Sequence, residues 1–195
     1  MARPAEHEKR AELAREAVDV LQREGVELSM AALADALDVK RPTLLYHFPT
    51  KAHIVEAALV ELLVEQAAFV MARVEAHEHP IDRLYAHMRA IHAFHHGREA
   101  RVVFLTQAIA ATAGARLPEI LEAGEAVFEA QRHDIVTRLR LGIRSSTVRP
   151  CNPEALFAAV RALNDGLLIQ RVVTGAPLEP VHAFVWEQLL APLKV

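Results

Sequence analysis

Basic and aromatic side chains gather between residues 39 and 53 of this 195-residue sequence, in a combination that suits contact with nucleic acid. The stretch contains two lysines and one arginine and no acidic residue, so its formal charge is +3 with neutral histidines. Cationic side chains of this kind supply most of the affinity of proteins for the phosphate backbone. The side chains that offer charge or hydrogen bonds to DNA are Lys40, Arg41, Thr43, Tyr46, His47 and Lys51.

Individual residue types in this stretch indicate how bases and phosphates would be contacted. The guanidinium of Arg41 has the fork geometry that pairs with guanine, and Thr43 offers a hydroxyl and a methyl group to a phosphate or a thymine. Thr50 and Lys51 open the next predicted helix, whose N-terminal N–H groups suit a phosphate. Over residues 1–53, nine acids against eight bases leave a net charge of −1, so non-specific DNA binding should be weak.

The flanking residues predict the helices that hold this stretch in place. Ser29 is a typical N-cap for a helix over residues 30–37. Pro42 suits the first turn of a helix over residues 41–47, which Pro49 ends. Two short helices joined by a tight turn form a helix-turn-helix, whose second helix enters the major groove of DNA. The alternative is a cluster of short helices that only packs, with its basic edge in solvent.

The remaining sequence also favours helices. Hydrophobic residues make up 52% of the chain, and seven glycines are few for a turn-rich β fold. We therefore predict an all-α fold, in which a long fourth helix joins an N-terminal three-helix domain to a C-terminal helical bundle. With the two short helices, about nine are expected; the others cover about residues 8–24, 50–76, 81–96, 99–113, 117–141, 154–174 and 180–190, and residues 142–153 form the longest loop.

Composition also limits the setting of the protein. A single cysteine, Cys151, cannot form an intrachain disulfide. The most apolar stretch, residues 102–115, falls short of the roughly 18 apolar residues that a membrane span needs. Residues 1–10 lack the apolar segment of a secretion signal. We therefore expect a cytoplasmic protein that does not enter a membrane.

The run of residues 32–51 resembles the DNA-binding signature of the TetR family of bacterial transcriptional regulators; it reads ALADALDVKRPTLLYHFPTK. The sequence departs from the family pattern at Asp38, where a glycine is usual, at Lys40, where the N-cap is usually small, and at Leu45, where tyrosine is usual. The positions that match are Val39, Pro42, Thr43, Leu44, His47, Phe48 and Lys51. The resemblance implies that DNA is contacted by Arg41, Pro42, Thr43, Tyr46, His47 and Lys51.

The same resemblance implies a homodimer with a small-molecule site in the C-terminal bundle. Residues 1–53 are then expected to form the DNA-binding domain, and residues 54–195 the ligand-binding and dimerisation domain. The implied function is that of a repressor, which binds a palindromic operator as a dimer and is released by a small apolar effector. Such a regulator needs neither a catalytic residue nor a cofactor.

The last two predicted helices are apolar enough to need a partner surface. The eighth carries small residues at Ala155, Ala158, Ala159, Ala162 and Gly166, which permit another helix to approach closely. A self-complementary pairing of both helices with a second copy is the simplest closed assembly, and burial within the chain is the alternative. The predicted dimer contacts are Leu156, Val160, Leu163, Leu167, Phe184, Trp186 and Leu189.

Polar residues interrupt the apolar stripes of three bundle helices, which suggests a mainly apolar cavity with a few orienting groups. These residues are His92, Gln107 and Gln131. The alternative for each is a core residue whose hydrogen bonds are satisfied by the protein. With neighbouring aromatic and methionine side chains, the predicted ligand-binding set is Phe69, Tyr85, Met88, His92, Phe104, Gln107, Phe128 and Gln131.

Eleven histidines raise the alternative of a metal-dependent enzyme. His92 and His95 lie three residues apart on one helical face, and Asp134 follows His133, which resembles the all-helical HD phosphohydrolases. Asp165 would have to be the last ligand. The basic helix-turn-helix has no role in such an enzyme, so we predict no metal site. The sequence motifs of nucleotide binding, nucleophilic hydrolysis and zinc proteolysis are absent, and we predict no enzymatic activity.

Overall fold

Helices make up almost all of the regular structure in the computed structural model of the chain, which confirms the predicted all-α class. The backbone is described for residues 4–112 and 117–195, and the side chains for residues 6–110 and 129–195. One compact unit contains residues 1–65 and 100–125, and a second contains residues 66–99 and 126–195. The helices are α1 (Pro4–Glu24), α2 (Met30–Ala36), α3 (Arg41–His47), α4 (Lys51–Val74), α5 (Pro80–His95), α6 (Ala100–Thr112), α7 (Leu117–Arg144), α8 (Pro153–Thr174) and α9 (Glu179–Phe184).

The first unit contains α1, α2, α3, the beginning of α4, and α6. Helix α1 packs against α2 and α6, and α2 packs against α3. Ser29 caps α2 as its position predicts, because its Oγ accepts a hydrogen bond from the amide of Ala32 at 3.2 Å. The interior is filled by large apolar side chains that are almost completely buried, Leu13, Leu21, Leu33, Leu44, Phe48, Ile54, Leu59 and Phe104.

The turn between α2 and α3 is tight because Asp38 adopts the left-handed backbone conformation, with φ of +51°. Short polar residues reach this conformation more readily than other non-glycine residues do. The amide of Val39 then donates a hydrogen bond to the carbonyl of Ala34 at 3.0 Å. Asp38 therefore adopts the left-handed conformation at the position where a glycine is usual in the family that residues 32–51 resemble.

The second unit is built around α5, which packs against α8 and against a π-helical turn, Val185–Leu190, that continues α9. The predicted ninth helix is thus an α-helix followed by this turn and by a 3-10 turn, Ala191–Leu193. Lys194 binds Asp82 of α5 at 2.7 Å, which fixes the end of the chain. The apolar core of the unit contains Ile81, Leu84, Met88, Ile135, Val136, Leu139, Val148, Phe157, Val160, Val185 and Leu190.

Two predicted helix boundaries are wrong. Helix α7 continues to Arg144, although Gly142 was expected to begin a loop. Gly142 lies inside the helix, and a Cβ atom there would come within 2.6 Å of the Val148 side chain, so the absence of a side chain permits this close packing. Helix α1 begins at Pro4, earlier than predicted, since a proline fits the first turn of a helix.

Charged residues recur along the longest helices, α4 and α7. Within residues 4–112 and 117–195, none of the helices combines the length and the apolar content that crossing a membrane requires.

Candidate functional site

Helix α3 presents one face to the interior of the first unit and another to solvent. Leu44 on the helix and Phe48 just after it are completely buried and anchor it. The guanidinium of Arg10 lies 4.9 Å from the centre of the Phe48 ring. Among the predicted DNA contacts, those exposed to solvent are Lys40, Arg41, Pro42, Thr43 and Tyr46, and those half-buried are His47 and Lys51.

Two of the predicted DNA contacts interact with carboxylates of the same unit. Tyr46 is 68% exposed, and its hydroxyl donates a hydrogen bond to Glu6 at 2.7 Å. This hydrogen bond, reinforced by the charge of Glu6, raises the pKa of Tyr46. The Nζ atom of Lys51 lies 3.6 Å from the carboxylate of Glu27. Exposed ion pairs contribute little free energy in water, so a DNA phosphate can displace such partners.

In the second unit, α5 carries three buried histidines that are hydrogen bonded to different helices. The Nε2 atom of His87 lies 3.2 Å from Oε1 of Gln131 on α7. The Nε2 atom of His95 lies 2.8 Å from Oε1 of Gln66 on α4. Burial lowers the pKa of His87, and the hydrogen bond with Gln131 opposes this effect.

The third buried histidine, His92, is hydrogen bonded to α8 and α9. Its Nδ1 atom lies 2.6 Å from Nε2 of His182, and its Nε2 atom lies 3.2 Å from the backbone carbonyl oxygen of Asn164. The rings of His92 and His182 are stacked with their centres 4.9 Å apart. Burial is the main cause that lowers the pKa of His92 to about 4; the hydrogen bond with Asn164 opposes it, and the charges of His182 and Arg171 add to it. His92 is therefore neutral at pH 7.

The predicted ligand-binding residues are divided between the two units. In the second unit, those that are buried are Met88, His92 and Gln131, and those half-buried are Phe69 and Tyr85. In the first unit, Phe104 is buried in the core and Gln107 is exposed. Phe128 lies outside the residues whose side chains are described. Of the seven predicted residues whose side chains are described, five thus lie in the second unit.

Helices α8 and α9 divide the predicted dimer contacts between interior and surface. The stripe that contains Val160 and Leu167 faces α5, and both side chains are buried in the second unit. They are therefore core residues of the protomer and not dimer contacts as predicted. Leu156 and Trp186 are half-buried and pack against the same core. Those that stay exposed are Leu163, Phe184 and Leu189. The outer face of α8, defined by Ala155, Ala158, Ala159, Ala162, Gly166, Ile169 and Val173, is exposed along its length.

The N-terminal part of the chain matches a known family. Residues 13–58 match the model of the bacterial regulatory proteins of the tetR family, a segment that runs from α1 into α4 and includes the whole helix-turn-helix. The chain carries a TetR-family DNA-binding domain. Over residues 13–58, this match confirms the family that residues 32–51 resemble. A comparison with curated proteins gives no match.

Solved structures of two TetR-family regulators and of AibR share the fold over almost the whole chain. A regulator from Cytophaga hutchinsonii is 15% identical, with a TM-score of 0.75 and an alignment that covers 100% of this chain and 99% of that one. PfmR from Thermus thermophilus is 21% identical, with a TM-score of 0.70 and coverage of 94% and 99%. AibR, crystallised with isovaleryl coenzyme A and operator DNA, is 18% identical, with a TM-score of 0.66 and coverage of 93% and 98%. These similarities identify the TetR fold.

The histidines and acids of the enzyme alternative have other partners in this TetR fold. Asp134 binds Arg83 at 3.3 Å and Arg138 at 2.8 Å, and Asp165 lies 3.8 Å from Arg161. Within the described part of the chain, no group of three or more histidine, cysteine or acidic side chains is arranged to hold a metal ion. The tetR-family model that residues 13–58 match describes bacterial regulatory proteins, and the proteins of this family are DNA-binding regulators and not enzymes.

Asn164 and His182, which are hydrogen bonded to His92, are not among the residues predicted from the sequence. Asn164 is a polar residue within the buried stripe of α8, between Val160 and Leu167, which is the signal that singled out His92 and Gln131. His182 lies one turn before the buried Val185 and gives the same signal. Neither position, however, reveals from the sequence that the two side chains meet one histidine of α5.

Proposed function

We propose that the chain is a ligand-responsive repressor that binds a pseudo-palindromic operator as a homodimer. The observation that carries this proposal is the orientation of α3, whose buried Leu44 turns Arg41, Thr43 and Tyr46 outward. Each copy lays α3 in a major groove, and the two grooves lie about one helical turn, ~34 Å, apart.

The residues of α3 and the start of α4 divide the work of binding DNA. Arg41 pairs with guanine through its guanidinium, and Pro42 and Thr43 contact a neighbouring thymine methyl or phosphate. Tyr46 exchanges Glu6 for a hydrogen bond with DNA, and Lys51 exchanges Glu27 for a phosphate. His47, whose ring centre lies 5.1 Å from that of Tyr46, supports the same edge of the helix, and Lys40 adds charge.

The dimer forms through the exposed residues of α8 and α9. The outer face of α8 is a continuous stripe of small and apolar residues with exposed Arg161, Asp165 and Gln170 beside it, and monomeric proteins rarely expose large apolar surfaces. A Cβ atom added at Gly166 would meet no atom of its own protomer within 4 Å, which leaves room for a partner helix. Leu163, Phe184 and Leu189 extend this surface, and pairing with a second copy buries all of it in a four-helix interface.

The effector is a small, mainly apolar molecule that binds in the second unit. Aromatic side chains of this unit, among them Phe69 and Tyr85, supply apolar contacts, while the buried polar residues His92 and Gln131 orient the polar groups to which they are hydrogen bonded. AibR, which has the same fold, was crystallised with isovaleryl coenzyme A and operator DNA together. That structure supports the proposal that a chain with this fold binds both a small molecule and operator DNA.

Residues 1–53 contact DNA, and residues 54–195 bind the effector and the second copy. Helix α4 begins with the DNA contact Lys51, and it contributes residues to both compact units. It is therefore the element through which the effector changes the position of α3. The protein acts in the cytoplasm, where its operator is accessible.

Selection of binding sites from random duplexes by the purified protein tests this function. We expect enrichment of one pseudo-palindrome, with a preference at one guanine in each half-site that Arg41→Ala abolishes. Loss of a bidentate contact of this kind costs about 1 to 3 kcal/mol at that position. Arg138→Ala on α7 is the matched control, because it removes an exposed arginine of the second unit. If no sequence is enriched, the chain is not a site-specific repressor.

A further inference from the structure

The hydrogen bonds of His92 determine which ring nitrogens carry protons in the second unit. The backbone carbonyl of Asn164 only accepts hydrogen bonds, so Nε2 of His92 donates to it at 3.2 Å. The ring is neutral at pH 7, which leaves Nδ1 of His92 as an acceptor. Nε2 of His182, 2.6 Å away, must therefore be the donor in that hydrogen bond. These three groups form a directed relay from His182 through His92 to α8.

The relay leaves an unused acceptor at its outer end. Because Nε2 of His182 donates a proton, Nδ1 of the neutral ring has a bare lone pair. This atom is buried and has no hydrogen-bond partner, and the residue is 6% exposed. Burial lowers the pKa of His182, the positive charge of Arg89 adds to this effect, and Glu179 opposes it.

Asn164 provides a second unused acceptor in the same unit. Its Nδ2 donates to the carboxylate of Asp165 at 3.4 Å, which assigns the other side-chain atom as oxygen. That Oδ1 atom is buried without a partner, and the residue is 3% exposed. A buried acceptor without a hydrogen bond is rare and costs about 1 to 3 kcal/mol. Two such acceptors, Nδ1 of His182 and Oδ1 of Asn164, lie on residues that His92 connects. Both lack a hydrogen-bond donor from the protein.

The surroundings of the two acceptors define which donors they accept. An anionic carboxylate has no hydrogen to donate and would oppose both lone pairs. A cation without a paired anion would be costly to bury there. The charges of Arg89 and Arg171 add to this cost, although Glu179 opposes Arg89 at His182 and Glu99 pairs with Arg171 at 3.2 Å. The ring of Tyr85 lies close by, since its hydroxyl donates to the backbone carbonyl of His182 at 3.3 Å. An uncharged molecule with O–H or N–H groups on an aromatic or aliphatic body satisfies these conditions.

We propose that Nδ1 of His182 and Oδ1 of Asn164 are the acceptors that select an uncharged, hydrogen-bond-donating effector. This inference rests on the proposed function, since it specifies the ligand chemistry of the second unit. It assigns the selective contact to two residues outside the set predicted from the sequence. His92 acts as a positioning residue, because its two hydrogen bonds orient His182 and leave Nδ1 of that ring available.

Phenol and toluene are the probes for a test, because they differ by a hydroxyl and a methyl group of nearly the same size. Binding of each to the full-length protein at pH 7 is measured by NMR titration. We expect phenol to bind several-fold to about tenfold more tightly than toluene, although toluene is the more apolar of the two. Long-range ¹⁵N spectra should find His182 protonated at Nε2, with the Nδ1 resonance moving when phenol binds.

Asn164→Leu is the most direct variant, because it removes Oδ1 and keeps the backbone carbonyl that His92 uses. His182→Phe removes the other acceptor and keeps a ring. Each should reduce the preference for phenol, whereas His133→Phe, at an exposed position of α7, should keep it. If either variant fails to fold, the comparison of the two probes and the ¹⁵N spectra of the wild-type protein remain decisive.

The proposal is overturned if neither probe binds, if both bind equally, if both acceptor variants keep the preference, or if His182 is protonated at Nδ1. A separate operator-binding assay distinguishes this outcome from failure of the proposed function. Phenol selectivity in a protein that selects no operator contradicts the repressor and leaves the acceptor pair standing. An operator-binding protein without phenol selectivity contradicts the acceptor pair alone.

Discussion

Lys51 is the residue whose role in DNA binding is easiest to separate from base recognition. Its ammonium group is half-exposed at the start of α4, and its partner Glu27 is 91% exposed, so a phosphate can replace that carboxylate at little cost. We expect Lys51→Ala to weaken binding to all duplexes by a similar factor and to reduce the slope of log affinity against log salt by about one unit. Fluorescence anisotropy at several salt concentrations measures both quantities.

Arg132→Ala is a suitable control for Lys51→Ala. Arg132 is a solvent-accessible cation of α7 that is paired with Glu129, so the variant changes the net charge equally without touching α3 or α4. Its salt slope should match that of the wild type. A change of preferred sequence in Lys51→Ala would mean that this side chain contacts a base and not a phosphate.

His92 should make the stability of the protein depend on pH. Its pKa is lowered from an ordinary value near 6.5 to about 4, mainly by burial. As the pH falls below 6.5, His92 binds a proton in the unfolded chain but stays neutral in the folded chain. The free energy of unfolding is therefore constant above pH 6.5 and declines between pH 6.5 and pH 4. The contribution of His92 to this decline is on the order of 3 kcal/mol. Urea unfolding at pH 7, 5.5 and 4.5 measures it.

His92→Gln should flatten this pH dependence, because glutamine does not titrate and still both donates and accepts hydrogen bonds. Other buried histidines contribute to the wild-type decline, since burial also lowers the pKa values of His87 and His182. The variant should therefore remove only part of it. An unchanged pH dependence in His92→Gln would mean that His92 is protonated in the folded protein at mild acidity.

At the scale of helices, the sequence predicts most of the architecture because the local signals are strong. Ser29 caps α2 as expected, and Gly175, in the left-handed conformation with φ of +67°, ends α8 where its position predicts. The helix end predicted at Gly142 is wrong, because nothing in the local sequence distinguishes a glycine that ends a helix from one that lets a side chain such as Val148 pack closely. The helix-turn-helix was identifiable for a similar reason, since its residues are consecutive in the sequence.

Contacts between distant helices were less accessible to sequence analysis. The apolar stripe of α8 predicted a buried face correctly, but its partner was assigned to a second copy, whereas Val160 and Leu167 pack within the protomer. An apolar stripe predicts that one face of a helix is buried, but it does not indicate which surface covers that face. The meeting of His92, Asn164 and His182 depends on the packing of three helices, which the spacing of residues along one helix does not determine.

Gly166 on the outer face of α8 allows a test of the dimer at the level of a single helix. A Cβ atom at this position would meet nothing within 4 Å beyond the backbone of its own helix, and replacing a glycine inside a helix removes a cost of roughly 0.5 to 1 kcal/mol. Gly166→Trp should therefore leave the folded protomer as stable as before, while its indole blocks the approach of a second α8. Sedimentation should find monomers, and circular dichroism should find unchanged helix content.

Leu163→Glu provides a second test of the same surface, because it buries an unpaired charge in any interface that covers this position. Arg138→Trp is the control for bulk alone, since Arg138 is an exposed residue of α7. It should remain dimeric. If Gly166→Trp and Leu163→Glu both remain dimeric, the second copy binds elsewhere.

At the scale of the whole molecule, the proposed function requires that two ligands affect each other through one chain. Helix α4 is continuous from Lys51 to Val74, and its residues belong to both compact units. A ligand changes DNA affinity only if it binds the DNA-competent arrangement less well than another arrangement. Coupling free energies of about 1 to 3 kcal/mol are typical and change affinity by roughly 5- to 150-fold, which is enough for induction.

Thermodynamic reciprocity makes this coupling measurable from either ligand. If a small molecule that binds the second unit weakens operator binding by some factor, saturating operator must weaken the binding of that molecule by the same factor. Phenol serves as the first ligand, with affinities measured in the absence of DNA, with the selected operator and with a scrambled duplex of equal length. Only the operator should lower the affinity, and in Lys51→Ala a higher operator concentration should be needed for the same effect. Equal phenol affinity in all three conditions would mean that the ligand site and α3 are not coupled, so that induction would have to proceed by another route.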